Sequence, residues 1–362
     1  MLERILDGEH WWQSGNGLAE ELEARLASFH SALGAVAVTN GTHALELALR
    51  GLGVGPGDHV LVSALTFIST AAAASLVGAI PVPVDVDPET LGMDPADLER
   101  KLTDAAKAIV PVHLAGNPVD MSAIGKMAAG ARIPLIEDCA QATGAEWEGQ
   151  RVGGLGTLGT HSFHANKLLA SGEGGAVTVG SNAELLQRLL LLSNCGRARG
   201  VMEPSHELIG SNYRMTEFQA GILIAQLESY DELWARRHAA GQALVTALTE
   251  EGLALPVRTA PGVTRAAWYN ILFRLPPTMS RRMTRHEFAA ALTAEGIPAR
   301  PLHPAFHMTT AYRDQYTGGI CPNAEQAGED VVFLHHRVLL GGQSGVDDVL
   351  TAFRKIRHEV VR

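Results

Sequence analysis

The sequence predicts an α/β protein, a three-layer αβα arrangement around a mostly parallel sheet, followed by a smaller C-terminal α+β domain. The first observation is that short apolar runs alternate with helical patterns from residue 18 to residue 227. The second is the length of 362 residues, enough for one large and one smaller domain. The third is a long helical pattern at 231–250, which leads from one domain into the next. We therefore place a large domain with an N-terminal arm at 1–240 and a small domain at 241–362.

The elements follow one another in an order that implies right-handed crossovers between parallel strands. Strands are predicted at residues 36–38, 58–64, 79–86, 108–114, 133–138, 161–164, 176–179 and 268–275. Helices are predicted at residues 18–33, from the turn at 39–42 through 52, and at 66–77, 120–129, 183–192, 216–227, 231–250, 284–295 and 346–358. The segment 195–211, with its Gly, Arg and Pro, is predicted to be irregular.

Three helix starts carry capping signals. Asp94 suits an N-cap and Pro95 suits the first helical position, while Thr284 caps an amphipathic helix. In the turn at 39–42, Gly41 lets another backbone or ligand come close. The unpaired N–H groups of the helix that follows can bind a phosphate. An ordinary Asn/Thr cap is the alternative at this turn.

Composition describes an ordinary globular protein and excludes some functions. Hydrophobic residues make up 46% of the chain and charged residues 19%. A formal net charge of −10 disfavours nucleic-acid binding, which needs a basic face. The three cysteines are few and widely spaced, which suggests a reducing compartment. We see no signal peptide and no run long enough to span a membrane, and so expect a cytoplasmic protein.

A single lysine, Lys167, lies among small and apolar residues between a strand-like run and a Gly-rich turn at 172–175. Partial desolvation lowers the pKa of a lysine and frees its amine to attack a carbonyl, as a Schiff-base lysine must. A solvated loop lysine is the alternative interpretation of this stretch.

Upstream, the apolar run 133–136 ends in Glu137 and Asp138 and is followed by small residues. This pattern predicts a buried strand with carboxylates at its C-terminal end, where open α/β sheets bind ligands. A carboxylate there can pair with a protonated pyridine nitrogen. The alternatives are a metal site, which lacks neighbouring ligands at suitable spacing, and a structural acid.

One motif in the chain matches the sequence pattern of a dinucleotide-binding site. Residues 154–159 match the pattern G-x-G-x-x-G, but no clear strand precedes them and a strand rather than a helix follows. We expect these glycines to make a tight crossing on the way to Lys167.

Seven short stretches resemble, in order, the sugar- and cyclitol-modifying aminotransferases that use pyridoxal phosphate (PLP). They are Thr-Asn-Gly-Thr-His-Ala-Leu (39–45), Thr-Phe-Ile-Ser-Thr-Ala (66–71), Pro-Val-His-Leu-Ala-Gly (111–116), Glu-Asp-Cys-Ala-Gln-Ala (137–142), Ser-Phe-His-Ala-Asn-Lys (162–167), Gly-Glu-Gly-Gly-Ala (172–176) and Gly-Ser-Asn-Tyr-Arg-Met (210–215). Within the family, residues 11–12, 42–49, 195–197 and 334–340 are similar to the 3-amino-5-hydroxybenzoate synthase branch.

The resemblance implies the aspartate-aminotransferase-like fold, fold type I of PLP-dependent transferases. It implies that Lys167 binds PLP and then acts as general base and acid, while Asp138 pairs with the pyridinium. The phosphate would be bound by Gly41, Thr42, Ser162 and, from the neighbouring subunit of a homodimer, Asn212. Phe67 would stack on the ring, and Gln141 would contact its 3-hydroxyl.

The implied activity moves an amino group from glutamate or glutamine to a keto group of a sugar nucleotide or cyclitol, in the biosynthesis of secondary metabolites such as antibiotics. The alternative is a dehydratase and aromatase of the aminohydroxybenzoate type. Gln141 argues for the aminotransferase, because that branch has His at this position. A third hypothesis, a catalytically inactive binding or regulatory protein, is opposed by the joint presence of Lys167, Asp138 and the phosphate residues.

Further polar and aromatic side chains are candidates for substrate contact. They are Trp12, His164, Arg300, His303 and His336. A polar interface is the alternative role for the basic ones. The neighbouring histidines at 335–336 lack further ligands at regular spacing, so we predict no metal site.

Overall fold

The computed structural model describes residues 2–8, 11–13, 17–200, 205–316 and 319–361. Residues 14–15 of the stretch after the paired tryptophans, and 201–204 of the predicted irregular segment, lie outside the described residues. No helix in the described ranges is both long and apolar enough to cross a membrane.

The strands are β1 Gly34–Val38, β2 His59–Ser63, β3 Ile80–Val84, β4 Ala106–Val110, β5 Ile136–Asp138, β6 Glu146–Trp147, β7 Gln150–Arg151, β8 Leu158–Ser162, β9 Gly175–Val179, β10 Leu255–Pro256, β11 Val263–Arg265, β12 Asn270–Arg274, β13 Ala299–Pro301 and β14 Val331–His335. Six of these strands have no counterpart in the predicted elements: β6, β7, β10, β11, β13 and β14.

The α-helices are α1 Leu2–Asp7, α2 Leu18–Phe29, α3 Gly41–Gly51, α4 Ser69–Leu76, α5 Pro95–Lys101, α6 Met121–Ala131, α7 Ala183–Ser193, α8 Glu217–Glu228, α9 Tyr230–Glu250, α10 Pro277–Ser280, α11 Arg285–Ala294, α12 Pro322–Asp330 and α13 Gly342–Val361. Helix α2 ends four residues before its predicted end, because the chain turns there to enter β1 at Gly34. The predicted caps Asp94 and Thr284 both accept backbone N–H groups of their helices.

The large sheet has the strand order β3-β2-β4-β5-β8-β9-β1 and is mostly parallel. Parallel bridges from Ile109 to Leu135 and from Val112 to Asp138 join its two halves. Strand β9 is antiparallel to both of its neighbours, β8 and β1. Because the other strands run in one direction, Asp138 lies at the edge where their carboxyl ends meet.

Helices cover the two faces of this sheet, as expected for a three-layer αβα protein. Side chains alternate along β1, so that Ala35 and Ala37 face one core while Val36 and Val38 face the other. The first core contains buried residues of α2, α6 and α8. The second contains those of α3, α4 and α7.

The C-terminal part is built on an antiparallel sheet with the order β10-β12-β14-β13. One face of this sheet packs against α9, α11 and α13 through a core that includes Phe273, Phe288 and Phe353. The opposite face carries Leu272 and Phe333, which pack with Leu65 and Leu114 of the large domain. The small sheet therefore lies against the carboxyl edge of the large one.

The Gly-rich loop that imitates a dinucleotide site binds a carboxylate of the chain itself. Glu137 is fully buried and accepts the backbone N–H groups of Gly153, Leu155 and Gly156 at 2.7–2.9 Å. Its second oxygen also contacts Nε2 of His113 at 3.2 Å. Successive N–H groups that converge on an anion form a nest, and here Glu137 fills it. The loop thus fixes β5, which carries Asp138.

Candidate active site

A cavity of about 750 Å³ lies at the carboxyl edge of the large sheet and is closed on one side by the small domain. It brings together most of the side chains that the sequence singled out: Gly41, Thr42, Phe67, Asp138, Gln141, Ser162, His164, Lys167, Arg300 and His303. Trp12, Asn212 and His336 are not among the residues that line it. Positions more than 250 residues apart in the chain, such as Gly41 and Arg300, meet here because the two domains pack face to face.

Lys167 lies in the turn between β8 and β9, with its amine inside the cavity. Its backbone N–H donates to the carbonyl of His164 at 2.8 Å, and its Nζ lies 4.8 Å from the centre of the Tyr269 ring. Burial lowers the pKa of the Lys167 amine to about 8, although the negative charge of Asp138 acts in the opposite direction. A large fraction of the amine is therefore neutral and nucleophilic slightly above neutral pH.

Asp138, only 4% exposed, has both carboxylate oxygens fixed by donors. Thr70 Oγ1 donates to Oδ2 at 2.8 Å, and the backbone N–H of Ala140 donates to Oδ1 at 3.0 Å. The two donors fix the orientation of the carboxyl group in the cavity wall. Thr70 was not predicted from the sequence. It lies in the first turn of α4, three residues after Phe67 and within the stretch 66–71 that carries the family resemblance.

The N-terminus of α3 forms the opposite end of the cavity. A Cβ added to Gly41 would lie 2.7 Å from Cβ of Ser162, so only glycine lets α3 start this close to β8. Thr42 Oγ1 donates to Ser69 Oγ at 2.9 Å, and the Ser162 side chain lines the same wall. Free N–H groups and hydroxyls at a helix N-terminus suit a phosphate.

Gln141 is fixed by the loop that follows β4. Its Oε1 accepts the backbone N–H of Ala115 at 2.8 Å, which leaves the amide NH₂ as the group that can donate into the cavity. Ala115 has a left-handed backbone, with a φ of 58°. Phe67 lines the cavity yet is 63% exposed, so a large apolar face is available to a flat ring.

The three remaining candidates lie outside the cavity. The guanidinium carbon of Arg214 lies 5.2 Å from the ring centre of Trp12, which also pairs with Thr216. Asn212 is exposed on the segment that returns to α8. His336 is 6% exposed, and its Nε2 lies 3.2 Å from the carbonyl oxygen of Asn166.

The small domain contributes a wall that sequence reasoning found only in part. Arg300 and His303 were predicted to contact the substrate. Tyr269 and Asn270, at the start of β12, also line the cavity but were not predicted. The predicted strand at 268–275 included both, but nothing in its pattern shows which strand end meets Lys167. Burial lowers the pKa of His303, with Arg285 acting in the same direction. Arg300 forms no ion pair within the described residues.

Three buried groups behind the site, His113, Glu137 and Cys139, have potential ligand atoms within 4.8 Å of one another. The carboxylate of Glu137 is already saturated by backbone donors. His113 Nδ1 accepts the N–H of Val119 at 3.2 Å. Burial raises the pKa of the Cys139 thiol well above its ordinary value, so it stays protonated and is a poor metal ligand. We interpret this group as a structural network.

The residues around the cavity fit PLP. An anion site at α3, a fixed carboxylate and a partly neutral lysine amine face one space, beside the apolar surface of Phe67. These features match the phosphate, the pyridinium, the aldehyde and the ring face of the cofactor.

Comparison with known proteins agrees with this geometry. The model of the DegT/DnrJ/EryC1/StrS aminotransferase family matches residues 1–354. The 3-amino-5-hydroxybenzoate synthase of Amycolatopsis mediterranei is 40% identical over 351 residues, which cover 94% of this chain and 90% of that protein. The L-glutamine:2-deoxy-scyllo-inosose aminotransferase of Micromonospora echinospora is 37% identical over 387 residues, which cover 98% of this chain and 91% of that protein.

Solved structures show the same fold. A crystal structure of 3-amino-5-hydroxybenzoic acid synthase has a TM-score of 0.93 and 38% identity, covering 99% of this chain and 95% of that chain. The PLP form of a putative sugar aminotransferase from Streptococcus pneumoniae has a TM-score of 0.90 and 26% identity, covering 100% of this chain and 96% of that chain. These likenesses confirm the predicted fold class.

Proposed function

Because the chain belongs to the DegT/DnrJ/EryC1/StrS aminotransferase family, we propose that it moves an amino group from glutamine or glutamate to a keto group of a cyclitol or a sugar nucleotide. The chain is an aminotransferase, and its cofactor is PLP. The observation that carries the proposal is the convergence of Lys167, Asp138 and the N-terminus of α3 on one cavity between the domains. The site roles given below are part of the proposal.

Bound in this cavity, PLP supplies an aldehyde carbon for an amine and a ring that withdraws electrons. Lys167 would be the residue that holds the aldehyde end of the cofactor, and its amine, once released by an amino donor, would carry protons to and from the substrate carbon. Asp138 keeps a proton on the ring nitrogen, and Thr70 holds the carboxylate in place. Gly41, Thr42 and Ser162 would hold the phosphate, Phe67 would offer its apolar face to the ring, and the Gln141 amide would donate to the ring oxygen.

Charge favours a cyclitol over a sugar nucleotide as the acceptor. Apart from Lys167, the described residues that line the cavity include one permanently charged cation, Arg300. The amino donor brings a carboxylate that pairs with such a group. A diphosphate carries at least two negative charges, and among the described lining residues only Arg300 would oppose them with a permanent charge. The relatives that are L-glutamine:2-deoxy-scyllo-inosose aminotransferases support the same choice, because their acceptor is a cyclitol.

We also propose that the active unit is a homodimer. Asn212 lies outside the cavity of its own chain and is exposed. Its Oδ1 accepts the N–H of Arg214 at 3.3 Å, which leaves the amide NH₂ to donate to the phosphate in a neighbouring subunit. Exposed apolar side chains accompany it: Ile209 is 99% exposed, and Trp11 and Trp12 are about half exposed. Such a patch is typical of a surface that another subunit covers.

A second candidate is a dehydratase and aromatase of the aminohydroxybenzoate type. The 40% identity with 3-amino-5-hydroxybenzoate synthase favours it. Gln141, which stands where that branch has His, favours aminotransfer.

An absorbance experiment on the PLP-loaded protein separates the two. We expect glutamine to abolish the visible band of the lysine-bound cofactor, and 2-deoxy-scyllo-inosose to restore it. Glutamate in place of glutamine identifies the donor. The control is Lys167→Ala, which should not form the band. A band that neither donor changes would favour the dehydratase, and a protein that forms no band in excess PLP would contradict both proposals.

A further inference from the structure

We propose that His336 of the small domain is a positioning residue that holds the backbone of the lysine turn, so that the reactive amine of Lys167 is placed correctly only when the small domain is docked. Tyr269 of the same domain, whose ring lies beside that of His336, adds a contact with the amine itself. This inference rests on the proposed role of Lys167. It concerns the placement of the amine rather than the identity of the substrates.

The first observation is a hydrogen bond between domains at the residue before Lys167. The carbonyl oxygen of Asn166 lies 3.2 Å from Nε2 of His336, 170 residues further along the chain. The backbone N–H of His336 donates in turn to the carbonyl of Tyr269 at 3.2 Å. One histidine therefore joins the lysine turn to the segment that carries the Tyr269 ring.

The direction of this hydrogen bond follows from the protonation state of the His336 ring. Burial lowers the pKa of His336 to about 3, and its neighbours His335, Arg237 and Arg337 act in the same direction. The imidazole is therefore neutral at physiological pH and carries one N–H. Because a carbonyl can only accept, that N–H is on Nε2. Nδ1 is buried and has no partner among the described residues.

The second observation is that the small domain meets the lysine turn at the backbone of Asn166, which His335 beside His336 also approaches. Within the large domain, the N–H of Ala165 donates to Gly172 at 2.9 Å and that of Lys167 donates to His164 at 2.8 Å. These bonds hold the base of the turn. The N–H of Asn166 donates to Nδ1 of His164 at 3.3 Å, and its carbonyl accepts the bond from His336 at 3.2 Å.

The third observation is that Tyr269 is itself held against the large domain. The N–H of Ala267 donates to the carbonyl of Gly116 at 2.8 Å. Gly116 has a φ of 92°, and a Cβ there would lie 3.0 Å from the backbone N of Tyr269. This close approach places the Tyr269 ring 4.8 Å from Nζ of Lys167. The amine is thus shielded by a residue whose position depends on domain contact.

The test compares two variants of nearly equal size. His336→Gln keeps a donor at the position of Nε2, whereas His336→Met removes it. The full-length protein is freed of PLP and its fold is checked by circular dichroism. Labelling of Lys167 by trinitrobenzenesulfonate is then followed against pH, with the site read by peptide mass spectrometry.

We expect the labelling midpoint of the wild-type protein and His336→Gln to lie at about pH 8. In His336→Met the amine gains water, so the midpoint should rise by about one unit or more. The other titratable groups around the amine are Asp138, His43, His164, Glu173, Tyr269, Arg300 and His303. They are the same in both variants, so a difference between the variants reports the donor.

A second readout uses PLP itself. Capture of PLP at pH 7, followed by visible absorbance, should be about tenfold slower in His336→Met for each unit by which the midpoint rises. A merely structural role would lower the melting temperature of both variants without separating their midpoints. A wild-type midpoint in folded His336→Met would overturn the proposal.

A variant that unfolds is replaced by His336→Ala. There, added imidazole should restore the low midpoint if the donor is what matters, and failure of this rescue would also overturn the proposal. Labelling depends on neither amino donor nor acceptor. Failure here therefore leaves the proposed aminotransfer intact, and the reverse also holds.

Discussion

At the scale of single residues, the chemistry depends on the pKa of the Lys167 amine, which burial and Asp138 shift in opposite directions. Burial removes water from the Lys167 amine and lowers its pKa to about 8, while the negative charge of Asp138 favours the ammonium form. Asp138 itself is nearly buried, and Thr70 and the Ala140 N–H donate to its two oxygens. The pKa of Lys167 therefore reflects the balance between its burial and the attraction of Asp138.

Replacing Asp138 with Asn should lower the pKa of Lys167 below about 8, since the attraction is lost while the burial stays. The midpoint of Lys167 labelling against pH in the PLP-free protein measures this. Glu173→Gln is the matched control, because Glu173 is exposed and is not among the causes of the Lys167 shift. An unchanged or raised midpoint in Asp138→Asn would contradict this account.

The residues that could be predicted are those whose signal is local in the chain. Lys167 and Asp138 stand out because each interrupts an apolar or small-residue stretch. Thr70 and Tyr269 carry no such mark, since their importance comes from partners 68 and about 100 residues away. His336 was noticed as a basic side chain, but its contact with the Asn166 carbonyl depends on domain packing.

At the scale of elements, the loop at 153–156 shows why a motif needs its context. Its glycines were expected to make a tight crossing, and they do. What the sequence could not show is that their N–H groups bind Glu137, because that contact forms only when β5 lies beside the loop. The capped helices α5 and α11 were predictable because a cap lies within one turn of the helix that it starts.

Gly154→Ala tests the tight crossing. A Cβ at this position would overlap the carbonyl oxygen of His30, a backbone atom that cannot rotate away. We expect the free energy of unfolding in urea to fall by about 1–3 kcal/mol, the usual cost of overpacking. Gly125→Ala is the control: this glycine lies within α6, with nothing inside 4 Å of an added Cβ. It should leave stability unchanged or raise it by up to about 1 kcal/mol, whereas equal stabilities in the two variants would refute the overlap.

At the scale of the whole molecule, the site exists because two domains pack at one sheet edge. Leu65 and Leu114 of the large domain meet Leu272 and Phe333 of the small one, and the cavity opens beside this contact. The order of elements in the large domain was predictable from alternating patterns. Strand β13 could not be predicted in this way, because it has only three residues and pairs with β14 about thirty residues further along the chain.

The proposed homodimer predicts that two inactive variants restore activity when their subunits form a mixed dimer. Lys167→Ala and Asn212→Ala should each be inactive or bind PLP weakly, yet their mixed dimer should recover activity. If Asn212 serves the partner, the subunit that keeps Lys167 receives an intact Asn212 from its neighbour, while the other site loses both groups. Random mixing of subunits gives half mixed dimers with one good site each, so activity should return to about a quarter of the wild-type value. An Asn212 that acted within its own chain would leave every site lacking one group, and mixtures of the two variants would remain as inactive as the variants alone.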